Sequence, residues 1–318
     1  MVTYCVRRLL LALLLVWGVA SGAFLLTRLA PGDALIPDGP FVDKVRLQAE
    51  RERLGLNRPI LEHYVVWLRR AVRLDFGESI VYSRPVSDLV RDRAANTAIL
   101  ASAALILATL IGLPLGVYTA THKGGVGSRL ARVVSMLLLS TPPLIGALVL
   151  VLLAVKTGWF PVSGMTSISG LTGWRWFVNV LTHLPVPALA LALPLAATLE
   201  RLQSQSLADV SHEPFLRATL ARGVAPRDAL LRHAWPASLG PILGLYGVMV
   251  GSLFSGSFVV EVVTAWPGLG RLMVDGLSAR DIYLVAGTAA AGAACLAAAT
   301  FVTDVVHAAI DPRVRESR

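Results

Sequence analysis

Six long apolar runs occupy most of this sequence and restrict it to few kinds of fold. The first run, Leu9–Thr27, holds 19 uncharged residues and directly follows Arg7 and Arg8. About 20 residues, at a rise of 1.5 Å each, cross the hydrocarbon core of a bilayer as an α-helix. The pattern therefore predicts an all-α, polytopic membrane protein with about six transmembrane helices. The other runs are Ala94–Thr121, Val133–Val155, Trp176–Leu199, Ala234–Val260 and Ile282–Thr303.

Prolines occur in four of these runs, and in the third and fourth they affect the predicted spans. Pro142 and Pro143 divide the third run, which we still predict to be one span. The fourth run contains Pro185 near its polar first part, and we expect its helix to begin near Val186. The first run has an alternative interpretation as a cleaved signal peptide, because residues 20–23 are small. Against that alternative, the apolar run continues past these residues and further spans follow.

The composition excludes the ordinary soluble classes. The chain is 55% hydrophobic and 15% charged, whereas a soluble domain carries about 25% charged residues. Its formal net charge of +9 comes from arginines that lie between apolar runs and form no single patch with interleaved aromatics, so no nucleic-acid partner is predicted. Cys5 and Cys295 lack metal-ligand spacing, and we predict neither a disulfide framework nor a metal site.

The basic short segments predict the orientation of the chain. With six spans, they all fall on one side of the membrane, and that side is cytoplasmic by the positive-inside rule. Both termini are therefore expected in the cytoplasm. These segments comprise Arg7 and Arg8, residues 122–132, the arginines of residues 201–232, and Arg313, Arg315 and Arg318.

The same topology predicts the domain organisation. Residues 1–28 form an amino-terminal transmembrane helix, and residues 29–93 form an extracytoplasmic loop subdomain. Residues 94–310 form a core of five transmembrane helices that contains a cytoplasmic loop at residues 204–236. Residues 311–318 form a cytoplasmic tail.

A mostly polar segment, Glu213–Pro241, follows the fourth run and includes the first residues of the fifth; it is called the coupling segment below. Pro214 suits the first turn of a helix, and Gly223 suits a left-handed turn at its end. Pro226 can start a second short helix, which Pro236 bends or ends. The first helix has an apolar stripe formed by Phe215, Leu216, Thr219 and Leu220. From spacing alone, this stripe can lie on the lipid interface or dock into a groove of a partner protein.

The coupling segment resembles the cytoplasmic EAA loop in the membrane subunits of binding-protein-dependent ABC importers. The general form of that loop is kept only in part, with Ala218, Gly223 and Pro236 at matching positions. The version found in the dipeptide, oligopeptide and nickel branch fits better, although Thr219 replaces its alanine. Its matching residues are Arg217, Gly223, Arg232, His233, Ala234 and Pro241.

In this family the EAA loop is the helix that docks into a cleft of the ATPase subunit. The resemblance therefore implies that one set of residues couples the chain to ATP hydrolysis. This set contains Glu213, Phe215, Leu216, Arg217, Ala218, Leu220, Gly223, Arg232 and His233.

Other phrases extend the resemblance over nearly the whole chain, as far as Arg315. LAPGD (Leu29–Asp33), LGLNRPILEHYVVWL (Leu54–Leu68) and LDFGESIVYSRPV (Leu74–Val86) resemble the first external loop of the branch. AWPGLGR (Ala265–Arg271) resembles its second external signature, and DPRVR (Asp311–Arg315) resembles its tail. Together these phrases match the first, B-type permease of the pair found in this branch.

The second external signature has two interpretations. The resemblance implies an extracytoplasmic gate or a contact with the binding protein, formed by Glu261, Trp266, Pro267, Gly268, Gly270 and Arg271. The simpler alternative is a tight turn at the membrane interface, with Glu261 as a helix-end residue paired with a cation such as Arg271. The sequence leaves both interpretations open.

The sequence contains no G-x-x-x-x-G-K-[ST] phosphate-binding loop, so ATP and Mg are expected on other chains. His212-Glu213 begins like a zinc-protease motif, but Leu216 replaces the second histidine. We therefore predict no catalytic residue, cofactor or metal on this chain. The resemblance implies a location in the plasma (inner) membrane and four partners besides the lipid bilayer. These are a second homologous permease subunit, two ATPase subunits and an extracytoplasmic substrate-binding protein.

The resemblance implies import of di- or oligopeptides, with nickel or a metal–metallophore complex as the alternative cargo. Two other classes remain as hypotheses. An ATPase-independent secondary transporter or channel is disfavoured by the lack of acids within the predicted spans and of an inverted repeat. An intramembrane enzyme is disfavoured because no catalytic constellation is recognisable.

Overall fold

The computed structural model describes residues 2–30, 44–53, 55–167, 170 and 172–310. Every regular element in these residues is a helix, and the only strand-like pairing among them is an isolated bridge between Glu78 and Pro85. The helices are α1 (Val2–Leu29), α2 (Lys44–Arg53), α3 (Ile60–Ala71), α4 (Val86–Thr121), α5 (Val126–Ser140), α6 (Pro143–Thr157), α7 (Gly173–His183), α8 (Pro185–Val210), α9 (Pro214–Ala221), α10 (Pro226–Ala229), α11 (Trp235–Ser238), α12 (Gly240–Val263), α13 (Leu269–Ser278) and α14 (Ile282–Ile310).

Five helices among the described residues are long and apolar enough to cross a membrane: α1, α4, α8, α12 and α14. The prediction of an all-α polytopic membrane protein is therefore confirmed. The fourth span begins at Pro185, next to the predicted start at Val186, because the preceding polar stretch forms the separate helix α7. Pro114 and Pro194 lie inside α4 and α8 without ending them.

The third apolar run, predicted as one span that Pro142 and Pro143 interrupt, is sharply bent at these prolines. It forms two helices, α5 and α6, whose axes meet at 113°. Pro142 and Pro143 carry no amide hydrogen, and a residue before proline avoids the helical region, so α5 ends at Ser140 and Thr141 is extended. Pro143 then occupies the first turn of α6. By length and composition, the pair is either one broken span or a re-entrant loop.

The described chain forms two compact units, and the helices α4 and α14 are divided between them. The first unit contains the described residues between 2 and 97 and between 267 and 298, and the second contains the described residues between 98 and 266 and between 299 and 310. The domain boundaries at residues 28, 93 and 310 remain predictions. The predicted tail, residues 311–318, lies outside the described residues, as do the phrases LAPGD (apart from Leu29 and Ala30) and DPRVR.

Aromatic side chains form the core of the first unit. Phe24 of α1 stacks on Trp67 of α3 with ring centroids 4.8 Å apart, and it meets His63 edge to face at 5.1 Å. The imidazole Nε2 of His63 lies 2.9 Å from the hydroxyl of Tyr283 in α14, and both residues are buried. Burial lowers the pKa of His63, and the nearby Arg28 and Arg58 lower it further. Both effects favour the neutral ring, and its contact with Tyr283 ties α3 to α14.

A single carboxylate holds the loop after α3 in place. Asp281 has no exposed surface, and its Oδ2 accepts hydrogen bonds from Ser79 Oγ (2.7 Å), Ile80 N (2.6 Å) and Val81 N (3.2 Å). Its Oδ1 accepts a hydrogen bond from Leu284 N (3.1 Å), which caps the first turn of α14. Three hydrogen bonds thus fasten the loop at residues 79–81 to the residue that precedes α14, and the fourth caps α14 itself.

Helix α8 forms the centre of the second unit and packs against α5, α6 and α12. Helix α4 also approaches it closely, because Gly112 and Gly116 present no side chain. A Cβ atom at Gly112 would lie 2.6 Å from Ala196 O, and one at Gly116 would lie 2.6 Å from the Cβ of Gln203. Small residues four apart allow such close helix contact in membranes.

Candidate functional site

The coupling segment begins as the sequence predicts. Pro214 lies in the first turn of α9, which ends at Ala221, and Gly223 follows with a φ of +84°. Pro226 then begins α10. The predicted short helix, left-handed glycine turn and second short helix are therefore confirmed.

In the second half of the segment, Pro236 does not end the helix, which was one of its two predicted effects. Helix α10 continues into a π-helical turn, Leu230–Ala234, in which Trp235 N donates to the carbonyl of Leu230 five residues earlier. Helix α11 follows directly, with Pro236 in its first turn, and continues to Ser238. The proline does not end the helix, because its missing amide hydrogen falls where the π turn gives way to the α-helix.

The apolar stripe of α9 divides into an inner and an outer part. Leu216 is only 7% exposed and packs against Leu207 of α8 and Ala120 of α4. Phe215 and Leu220 are 44% and 43% exposed. Leu216 therefore anchors α9 to the ends of α4 and α8. The side chains of Phe215 and Leu220 remain available to a partner protein or to lipid.

Apart from Leu216, the residues predicted for coupling all lie on the surface. Glu213 sits just before the first turn of α9, and Arg217, Ala218 and His233 are exposed. Arg232 lies 3.8 Å from Asp228, one helical turn away, with 79% and 54% of the two side chains exposed. An exposed pair of this kind contributes little to stability. We call Phe215, Arg217, Ala218 and Leu220 the outer face of α9; it presents two large apolar groups beside a cation.

The residues predicted to form an extracytoplasmic gate or a contact with the binding protein are mostly buried. In the second unit, Glu261 and Trp266 have no exposed surface, and Trp266 packs in the hydrophobic core. In the first unit, Gly268 and Gly270 are buried, Pro267 is partly exposed and Arg271 is exposed. A protein that contacts this conformation would therefore meet Arg271 and Pro267 and none of the buried members.

Two residues of α4 fix the start of α13. The side-chain amide of Asn96 donates to Pro267 O (2.8 Å), and Thr97 Oγ1 accepts from Leu269 N (2.8 Å). Sequence reasoning missed both residues, because isolated polar side chains at the start of an apolar run give no distinctive signal. Their roles follow only from the fold.

Sequence reasoning also missed a buried acid in α8. The predicted span ends at Leu199, but α8 continues to Val210 and buries Glu200. Thr119 Oγ1 donates to Glu200 Oε1 at 2.6 Å. The spacing of Leu199, Leu202 and Leu207 is the signal for this longer helix. The prediction that no acid lies within a span is therefore wrong, because α8 is a candidate span and contains Glu200. The absence of acids can no longer be used against a secondary transporter.

The long apolar helices, with a short exposed helix and a glycine turn between two of them, define a helical polytopic membrane protein. Residues 112–316 match the family described as "Binding-protein-dependent transport system inner membrane component". The chain belongs to this family, and it is a protein of the plasma (inner) membrane.

Curated relatives cover nearly the whole chain. It is 32% identical over 320 residues to the oligopeptide transport system permease protein AppB of Bacillus subtilis (strain 168), covering 99% of both chains. It is 34% identical over 327 residues to OppB of Mycobacterium bovis, another oligopeptide permease, covering 100% of both. The glutathione transport system permease protein GsiC of Escherichia coli O1:K1 / APEC is 30% identical over 317 residues, covering 99% of both. The resemblance to B-type permeases is confirmed, while the roles given to single residues remain predictions.

Proposed function

We propose that this chain is the B-type permease subunit of an ABC importer that carries di- or oligopeptides. A substrate-binding protein delivers the peptide, a second homologous permease subunit completes the pathway, and two separate ATPase subunits supply the energy with ATP and Mg. The observation that carries the proposal is the outer face of α9, which is anchored by Leu216 and leaves Phe215 and Leu220 exposed. The peptide cargo is supported by the names of relatives that align over the full chain.

In this proposal the coupling segment and both termini lie in the cytoplasm, and the loop at residues 29–93 lies outside. Closure of the ATPase dimer on ATP moves α9 with the cleft that holds it. Because Leu216 packs against α4 and α8, this displacement reaches the spans, which alternate between inward-open and outward-open states. The chain itself performs no covalent chemistry.

Nickel or a metal–metallophore complex remains the alternative cargo, and an ATPase-independent transporter or channel remains the alternative class. The buried Glu200 favours keeping the second alternative, because acids inside spans often mark ion pathways. Purification of the tagged full-length chain from its native membrane separates these classes. We expect the second permease and the ATPase subunits to copurify, and the complex in nanodiscs to show vanadate-sensitive ATP hydrolysis that a peptide-loaded binding protein stimulates.

Two results would contradict the proposal. One is that the chain purifies from its native membrane without an ATPase; the other is that the chain alone, in proteoliposomes, drives solute uphill. Stimulation by a nickel-loaded or metallophore-loaded binding protein, and by no peptide, would overturn the peptide cargo only.

Gly223→Val is expected to abolish the stimulated ATP hydrolysis and peptide uptake of this complex. Space is not the reason, because a Cβ at this position has no heavy atom within 4 Å. The φ of +84° is the reason, since left-handed backbone costs a side-chain-bearing residue about 1–2 kcal/mol and a β-branched one more. A turn that relieves this strain redirects α10 and separates α9 from the rest of the segment. The measurement is ATP hydrolysis with and without the peptide-loaded binding protein.

Gly223→Asn is the matched control, because asparagine adopts left-handed backbone readily. We expect it to retain most of the wild-type stimulation. Stimulated hydrolysis at the wild-type level in Gly223→Val would count against a coupling role for this turn.

A further inference from the structure

A buried polar cluster lies directly behind the coupling segment, in the second unit. Gln203 Nε2 of α8 donates to Ser238 Oγ at 2.8 Å, and Ser206 Oγ of α8 donates to Ser238 O at 2.8 Å. Ser238 and Gln203 have no exposed surface, and Ser206 is 8% exposed. We call these three residues the polar joint, because they join α11, at the end of the coupling segment, to α8.

The polar joint sits beside an apolar contact between the same elements. Leu216, Ala229 and Ala234 of the coupling segment pack against Leu207 of α8 and Ala120 of α4. Such apolar contacts are non-directional and fix no particular register. The two hydrogen bonds to Ser238 are directional, so they fix both the position and the rotation of α11 on α8.

Stability alone does not account for this arrangement. Gln203 Oε1 is buried and has no hydrogen-bond partner among the described residues, and an unsatisfied buried acceptor is destabilising. Replacing both partners of a buried hydrogen bond by apolar groups of the same shape is often nearly neutral. What the polar joint adds to the apolar contact is direction: its two hydrogen bonds fix one position of α11 on α8.

We propose that the polar joint is the link through which a displacement of the coupling segment moves α8; this inference rests on the proposed function. Residues Gln203, Ser206 and Leu207 follow one another at helical spacing and face the coupling segment together. Helix α8 in turn packs against α5, α6 and α12. A rigid link at Ser238 thus passes the motion of one short segment to the centre of the second unit.

Two contacts make helix α4 move together with α8. Gly116 lets its backbone pack closely against Glu200 O and Gln203 Cβ, where a Cβ atom would clash. Thr119 of α4 donates to the buried Glu200 carboxylate at 2.6 Å, one helical turn before Gln203. The joint therefore positions α4 as well, and Gln203 and Ser206 are positioning residues that touch neither ATP nor peptide.

The test changes only the α8 side of the joint, so the surface offered to an ATPase keeps its sequence. The double variant Gln203→Met/Ser206→Ala removes both donors to Ser238 and the unsatisfied Oε1, with little change in shape. In the full complex in proteoliposomes, we expect assembly and basal ATP hydrolysis at wild-type levels. We expect peptide transported per ATP hydrolysed to fall by at least about fivefold, the lower end of measured coupling between sites.

Two controls separate coupling from packing. Ser257→Ala removes another buried hydroxyl of the second unit, whose bond goes to Phe254 O of its own helix at 3.0 Å; it is expected to keep the wild-type ratio. Ser206→Thr retains the hydroxyl and is expected to transport more peptide per ATP than Ser206→Ala.

Each outcome decides the inference. A wild-type ratio of peptide to ATP in the double variant would overturn it, as would a loss of assembly, hydrolysis and uptake in equal proportion, which indicates packing alone. If the wild-type complex shows no hydrolysis stimulated by the binding protein, the proposed function fails and this inference fails with it. Stimulated hydrolysis in wild type with an unchanged double variant overturns this inference only.

Discussion

Asp281→Ala is expected to lower the free energy of unfolding of the first unit by about 3 kcal/mol or more. The substitution removes the acceptor of four hydrogen bonds, three of them from backbone amides at Ile80, Val81 and Leu284. Because Asp281 is fully buried, water does not easily replace it, and an unsatisfied buried donor costs about 1–3 kcal/mol. Helix α14 also loses its amino-terminal cap, worth about 1 kcal/mol.

Thermal unfolding of the purified chain in detergent measures this effect, and limited proteolysis at residues 79–83 locates it. Asp281→Asn keeps one carbonyl acceptor, and its free energy of unfolding is expected to fall less than that of Asp281→Ala. Asp92→Ala is the matched control in the same unit, because the pair of Asp92 with Arg84, at 3.9 Å, is exposed and such pairs contribute little to stability. If Asp281→Ala and Asp92→Ala had the same melting temperature, other contacts would have to hold the loop at residues 79–81.

Gly116→Ala is expected to have the second-largest effect on stability, about 1–3 kcal/mol. Its new Cβ would lie 2.6 Å from the Cβ of Gln203 and 2.7 Å from the carbonyl oxygen of Glu200. Neither atom is the end of a flexible side chain, so the backbones of α4 and α8 must move apart. Loss of this contact also weakens the hydrogen bond from Thr119 to Glu200.

The yield of monodisperse protein and its melting temperature in detergent measure the outcome for Gly116→Ala. Gly146→Ala is the control, because Gly146 also lies in an apolar helix of the second unit and its Cβ would meet nothing within 4 Å. Alanine is a better helix former than glycine, so Gly146→Ala should melt at or slightly above the wild-type temperature. Equal melting of both variants would show that α4 and α8 do not need this close contact.

The sequence predicts the spans well because their signal is local. Twenty or so apolar residues in succession identify a membrane helix without knowledge of its neighbours, and α1, α4, α8, α12 and α14 all follow such runs. The glycine turn of the coupling segment is equally local: Gly223 is placed after a helix, and its φ is +84°.

Features that depend on distant residues could not be predicted in this way. Asp281 and Ser79 lie 202 positions apart in sequence, and only the fold brings the carboxylate to the loop. The burial of Glu200 depends on the approach of α4, which the glycines permit. The division between Leu216 and the exposed Phe215 likewise depends on Leu207 and on no pattern within α9.

The π turn at Leu230–Ala234 determines which way the side chains of the next helix, α11, face around the helix axis. A wider turn holds one residue more than the α-helical ladder needs, and each α-helical residue advances the chain by about 100° around the axis. Removing one residue here would let a continuous α-helix form and would swing Ser238 about a quarter-turn away from Gln203 and Ser206. The length of this stretch is therefore constrained even where its side chains are exposed.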